Sequence, residues 1–286
     1  MAVEQVLKVE LVSEIHEHLE TYKGTAKMIC GGTDLCVKLR EGHVKETVLI
    51  DISDVKALKS LSELEDGFWI GACSSFSDIV ENPEVRLKFP GFWKACQSVG
   101  APQIRNKGTV GGNLANGSPA ADAAPPLLAL NAKLKISSKA NVRWVELSEF
   151  YLGKGKTILD VNEVIEGILI PTTQGPYQQG FEKLGLRNAL AISRLSVSVY
   201  MVLDEFQLIR EIRVASGSLG LSPMREPLIE AFLIAKPLNE QTISLGADAF
   251  SNVVADRLSG RSTCAFKKEA VKGIFRAAMQ GGYYEA

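Results

Sequence analysis

Apolar residues recur at helical spacing near the start of the chain, at Val12, Ile15, Leu19 and Tyr22, predicting an amphipathic helix opened by Ser13 and closed by Gly24. Short apolar runs at 27–30 and 47–52 flank a Gly31-Gly32 turn and a helical stretch at 34–41. Strand, helix and strand in that order make a βαβ unit, with a right-handed crossover and a parallel sheet. From Leu58 the order changes. A strand at 67–72 precedes helices at 76–81, 83–88 and 90–99, and β-rich runs at 132–137, 142–147 and 163–170 suggest a mostly antiparallel sheet. Two prolines and a glycine within 171–176 mark the expected domain boundary. Beyond it, strands at 180–186, 194–203 and 209–218 come before helices at 226–234, 242–256 and 267–279, the order of a separate α+β unit. The expected fold class is α+β. A domain over 1–175, with a small parallel subdomain at about 1–56 and a mostly antiparallel one at 57–175, precedes a smaller α+β domain over 176–286.

One stretch fits neither period. Between 103 and 130, Gly108, Gly111, Gly112 and Gly117 break helix and strand patterns, and Asn113, Asn116 and Ser118 favour turns, so the segment reads as a loop. Apolar flanks and very little charge fold it into the body rather than out into solvent. A loop kept there has a use: adjacent Gly111 and Gly112 let backbone approach a ligand, and their N–H groups can converge into an anion-binding nest. Residues 28–35 repeat the chemistry, with a short strand, the Gly31-Gly32 turn and a helix headed by Asp34. Two such turns suit the two ends of one pyrophosphate. The first lies at the carboxyl end of its strand, where open α/β sheets bind ligands.

Composition narrows the partners. With 286 residues, 46% of them hydrophobic, the chain can fill more than one core, and a formal net charge of -1 without a basic run argues against nucleic acid. The longest apolar run, near 120–130, is interrupted by Asp122 and Pro125-Pro126 and is too short to span a membrane. An acidic N-terminal stretch lacks the form of a secretory signal, so a cytoplasmic location is expected. The five cysteines, Cys30, Cys36, Cys73, Cys96 and Cys264, show no metal-binding spacing and read as small buried hydrophobes. His16, His18 and His43 are assigned no chemistry, and no metal ligand or general acid or base is expected.

The fragments CGGTDL, LIDIS, GFWIGA, QIRNKGTVGGNLANGSPAAD and FEKLGLRNALAIS, in this order over nearly the whole chain, resemble the FAD-binding subunit of molybdenum hydroxylases, the xanthine dehydrogenase family. That resemblance implies an FAD site with two lips, Cys30, Gly31, Gly32, Thr33 and Asp34 on one, and Thr109, Gly111, Gly112 and Asn113 on the other. It further implies that Asp122 contacts the cofactor through its oxygens, that Ile165 lies against the flavin, and that Lys183 stands beside the cofactor. A carboxylate suits a sugar or ribityl hydroxyl rather than a phosphate, and an apolar side chain suits the isoalloxazine face.

In the family, a molybdopterin subunit oxidises the substrate, [2Fe-2S] clusters of another subunit carry electrons, and the flavin passes them to NAD. Cys30 stands where the family usually has alanine, a small-for-small exchange. The loop 185–190 lacks the dense charge found there in the animal enzymes, which leaves the acceptor open between NAD and another molecule. A stand-alone FAD-dependent oxidase or reductase of the same fold is the alternative, without an obvious flavin anchor or a long substrate domain. A nicotinamide-binding dehydrogenase would need a G-x-G-x-x-G after a strand. A non-catalytic scaffold subunit would bind no cofactor.

Overall fold

A computed structural model describes residues 3–173, 175–185 and 192–284. Its first part alternates β1 (Gln5–Lys8), α1 (Val12–Thr21), β2 (Ala26–Ile29), α2 (Leu35–Arg40) and β3 (Val48–Asp51). The three strands form a parallel sheet in the order β1-β3-β2. β1 was not expected from the sequence. It is a four-residue edge strand, mostly exposed, and so carries no apolar alternation. Ile15 and Leu19 bury the inner face of α1 against Ile50 and Val55. The helix begins one residue before Ser13, and the Glu14 carboxylate, rather than Ser13, accepts from the N–H groups of Glu10 and Leu11 at 2.9 and 3.0 Å.

The second part begins with β4 (Leu61–Leu64) and β5 (Gly67–Gly71) and continues through six helices: α3 (Phe76–Glu81), α4 (Pro83–Lys88), α5 (Pro90–Gln97), α6 (Pro102–Arg105), α7 (Val110–Ala115) and α8 (Ala124–Ala129). It then adds β6 (Lys133–Ser137), β7 (Val142–Glu146), the short hairpin β8 (Tyr151–Gly153) and β9 (Lys156–Thr157), and β10 (Val164–Pro171). Five of these strands form an antiparallel sheet in the order β4-β5-β10-β6-β7. Ile70, Leu134, Ile136, Ile168 and Ile170 from the sheet share one core with Phe76, Phe92, Leu114 and Leu127 from the helices.

Residues 103–130 are not one loop; most of α6 and the whole of α7 and α8 lie within them. The Thr109 hydroxyl caps α7 by accepting from the Gly112 N–H at 3.2 Å, which offsets the poor helix propensity of two glycines. Gly111 is needed for contact: a β-carbon there would stand 2.6 Å from the Ala72 carbonyl oxygen at the end of β5. In α8, Pro125 and Pro126 fall in the first turn, where no N–H is missed. All six residues of that helix are buried.

The third part is β11 (Tyr177–Leu184), β12 (Leu195–Leu203), β13 (Ile209–Gly217), β14 (Met224–Arg225), α9 (Pro227–Leu233), α10 (Glu240–Arg257), α11 (Cys264–Met279) and β15 (Gly282–Tyr284). Its antiparallel sheet is ordered β14-β13-β12-β11-β15; α11 packs on β11 and β12, and α10 packs in turn on α11 and α9, with Phe250, Val254, Val271 and Phe275 in the shared core. On its other face, α8 packs on β12 and β13. The architecture is thus a parallel βαβ part, an antiparallel part and an α+β part.

Candidate functional site

The two glycine turns come together. Residues 31–34 follow the carboxyl end of β2, and residues 107–113 run from the end of α6 into α7. Between them opens a cleft of about 320 Å³, lined by Cys30, Gly31, Gly32, Thr33 and Asp34 on one side and by Thr109, Gly112 and Asn113 on the other. The lips touch at Gly31, where a β-carbon would stand 1.7 Å from the Lys107 carbonyl oxygen. Gly32 has φ +69°, a left-handed conformation that strains any L side chain.

Behind these lips lies a second cleft of about 340 Å³, lined by Gly111, Ile165, Cys73 and Val164 and, shared with the first, Cys30, Thr109 and Gly112. Ile165 is buried in β10 and lines this second cleft.

The donor chemistry of the lips differs from the sequence expectation. Around Gly111 and Gly112 no nest forms, because Val110, Gly111 and Asn113 donate to the carbonyls of Ser74, Ala72 and Thr109, and Gly112 donates to the Thr109 hydroxyl. The first lip is the open one. Among the described residues, the N–H groups of Gly31, Gly32, Thr33 and Asp34 have no hydrogen-bond acceptor. Asp34 precedes α2 without a side-chain cap bond. On the second lip the Asn113 side-chain oxygen is buried and, among the described residues, without a partner.

Asp122 and Lys183 line neither cleft. They form a buried ion pair, Nζ to Oδ2 at 2.7 Å, and Lys183 donates also to the Ser98 carbonyl at 2.7 Å, one residue from Val99 in the first cleft. Burial pushes the Asp122 carboxyl up from its ordinary value, against the pull of Lys183. Its second oxygen, Oδ1, is buried with no partner among the described residues.

Other lining residues were missed by sequence reasoning. Phe76, Val99 and Ile104 supply apolar surface to the first cleft; Phe76 and Ile104 sit in short helices and Val99 just beyond α5, ordinary contexts that give no signal. Lys27 and Lys38 border it; Lys38 donates to the Asn116 side-chain oxygen at 2.5 Å, and Lys27 pairs with Glu46 at 3.0 Å. Residues 186–191, within the last fragment of the resemblance and most of the loop tied to acceptor access, lie outside the described residues. Among the described residues, no helix is long and apolar enough to cross a membrane, and no three His, Cys, Asp or Glu side chains converge as a metal site.

Residues 2–173 match the family model for the FAD binding domain in molybdopterin dehydrogenase, and residues 181–281 that for the CO dehydrogenase flavoprotein C-terminal domain. The chain is 31% identical over 252 residues to the nicotinate dehydrogenase FAD-subunit of Eubacterium barkeri, covering 87% of this chain and 85% of that protein. It is also 31% identical over 256 residues to a putative xanthine dehydrogenase FAD-binding subunit of Escherichia coli K12, covering 89% and 87%. A solved structure of carbon monoxide dehydrogenase from Hydrogenophaga pseudoflava shares the fold, with a TM-score of 0.89 at 24% identity over 97% of this chain and 96% of that one.

Proposed function

The chain belongs to the family of FAD-binding domains of molybdopterin dehydrogenases, the FAD subunits of molybdenum hydroxylases, and from that premise we propose that it relays electrons from [2Fe-2S] clusters of a partner subunit to NAD or another acceptor. Substrate oxidation belongs, in this reading, to a molybdopterin subunit. The substrates named for the relatives differ, nicotinate in one and xanthine in another, so this chain is assigned none. The domains are taken as 1–175, with subdomains at about 1–56 and 57–175, and 176–286. A cytoplasmic location goes with the reading.

One observation carries it: two backbone lips meet over a cleft and leave donors unused on one of them. A pyrophosphate needs N–H groups without competing acceptors, and residues 31–34 supply them. The buried Asn113 Oδ1, on the wall of the first cleft, wants a donor, which a hydroxyl of a ribityl chain or sugar offers, and Asp122 Oδ1, outside both clefts as they stand, is proposed as a second such acceptor. Gly111 and Ile165 in the second cleft suit a flat apolar ring. FAD, when bound, supplies a carrier able to take electrons singly and release them in pairs. The chain's own residues bind and orient it, and none is assigned proton transfer.

The test is a visible spectrum of the purified chain with chromatography of the cofactor that heat releases. FAD in about equal molar amount, without iron-sulfur absorbance, is expected. Gly112→Val places branched carbons in the shared wall of both clefts and should abolish FAD uptake while the far-ultraviolet spectrum stays unchanged. Full flavin content in that variant, or a colourless wild-type chain that refuses added FAD, overturns the reading.

A further inference from the structure

Two cysteines far apart in sequence meet in the wall between the clefts. Cys30 follows β2 of the parallel sheet, and Cys73 follows β5 of the antiparallel one. Both line the second cleft, and Cys30 also lines the first. Cys73 lies in the small core that Cys30 packs against, and Ile52 links the two: its N–H donates to the Ile29 carbonyl, next to Cys30, at 2.9 Å, and its own carbonyl lies 3.7 Å from the Cys73 thiol; both cysteines are free thiols.

The pair is asymmetric. Cys30 is half-buried and opens on the clefts, while Cys73 is 4% exposed. The Cys73 thiol lowers the Cys30 thiol below its ordinary value, against burial and with help from Lys59. The Cys30 thiol in turn, followed by burial, pushes the Cys73 thiol far up. Exposure makes Cys30 the thiol that a peroxide can reach, and burial holds Cys73 back as the protonated neighbour. A nucleophilic thiol beside a resolving thiol is the arrangement that peroxides oxidise selectively.

We propose that Cys30 and Cys73 form a redox-active dithiol that hydrogen peroxide converts to a disulfide, tying the lip at 31–34 to the antiparallel sheet. The Cys30 thiolate attacks one peroxide oxygen; the O–O bond breaks, leaving a sulfenic acid, and the departing hydroxide takes a proton to become water. The Cys73 sulfur then displaces the hydroxyl from Cys30, an S–S bond replaces the S–O bond, and the Cys73 proton leaves with that hydroxyl as a second water. Two thiols have lost two electrons and two protons, and one peroxide has become two waters.

The lip that carries the open N–H groups is thereby fixed to β5 by a covalent link, which restricts any rearrangement that admits or releases a bound nucleotide. Nothing in the step needs FAD in the cleft, so its failure and the failure of the FAD reading are read separately.

The full chain is reduced, freed of reductant, exposed to hydrogen peroxide and mapped by peptide mass spectrometry, with and without dimedone as a sulfenic acid trap. The expected product is a peptide pair joined through Cys30 and Cys73 and separated again by dithiothreitol. Cys30→Ala, which installs the residue the resembling family usually has there, should abolish the bridge. Cys73→Ala should leave Cys30 trapped as its dimedone adduct. A bridge from Cys30 to Cys36, oxidation confined to the exposed Cys36, or equal dimedone labelling of Cys30 in wild type and Cys73→Ala overturns the proposal.

Discussion

At Gly31, a β-carbon would meet the Lys107 carbonyl oxygen at 1.7 Å, backbone against backbone, with no flexible side chain to yield. At Gly112 the nearest atom to such a carbon is the Thr109 hydroxyl at 2.9 Å. The two glycines should therefore fail differently. Gly31→Ala is expected to part the lips, losing FAD together with about 1–3 kcal/mol of stability, whereas Gly112→Val loses FAD by filling space. Urea unfolding and flavin content, measured on both variants, separate the cases; an unchanged unfolding midpoint in Gly31→Ala contradicts the contact. The glycine pairs were legible in the sequence because glycine breaks both structural periods. Their division of labour was not. Whether an N–H is free depends on which carbonyl lies opposite, and Ala72 and Ser74, which satisfy Gly111 and Val110, are remote in sequence. The same limit applies to Asp122, whose nearest charge, Lys183, comes from another sheet.

At the scale of elements, α7 stands on a single side-chain cap. Thr109→Val keeps the volume but removes the oxygen that accepts from Gly112, with an expected cost of about 1 kcal/mol by urea unfolding. Recovery in Thr109→Ser and none in Thr109→Val would assign the loss to the cap. Nearby, Arg143 on β7 grips Glu163 through two bonds of 2.7 and 2.8 Å and donates also to the Ile158 carbonyl, bracing the segment before β10 that lines the second cleft.

The Arg143 guanidinium holds the Glu163 carboxyl below its ordinary value, against partial burial. A depressed carboxyl contributes stability that is present above its unfolded value and lost as pH falls through the folded one. Arg143→Met should thus cost about 1–2 kcal/mol near neutral pH, with the gap to wild type closing below the usual carboxylate range. Unfolding curves across the acid limb check this; a gap independent of pH would mean that only packing was lost. Elements with a sustained pattern, such as α10 and β12, could be read from sequence, with α10 opened by the Asn239 side chain on the Thr242 N–H. Short edge strands such as β1, β4 and β14 could not, because two to four residues with half their surface exposed carry no period.

Across the whole molecule, Asp122 and Lys183 join the antiparallel part to the third part, since one precedes α8 and the other lies on β11. The pair is nearly dry, with side-chain exposures of 9% for Asp122 and 13% for Lys183. Removing one partner leaves a desolvated charge, so Asp122→Asn is expected to cost about 3–5 kcal/mol, while the double exchange Asp122→Leu with Lys183→Met should cost much less than the sum of its parts. The cycle is best measured on the chain without flavin, so that only the joint is tested. Simple additivity would remove the pair as a link between the two parts. Flavin retention then examines the other oxygen: Oδ1 has no partner among the described residues, and a contact from a bound hydroxyl would give Asp122→Asn a loss of FAD affinity beyond what its unfolding predicts. Lys183→Met is the control. It spares Oδ1 but leaves Asp122 a buried carboxyl already displaced upward, which takes up a proton in place of its lost partner and so keeps an oxygen, now with a hydrogen, facing the same space. Retained FAD in Lys183→Met together with reduced FAD in Asp122→Asn would mean that the carboxyl serves the cofactor and the ammonium serves the fold. Parallel losses in both would assign the pair to the joint alone.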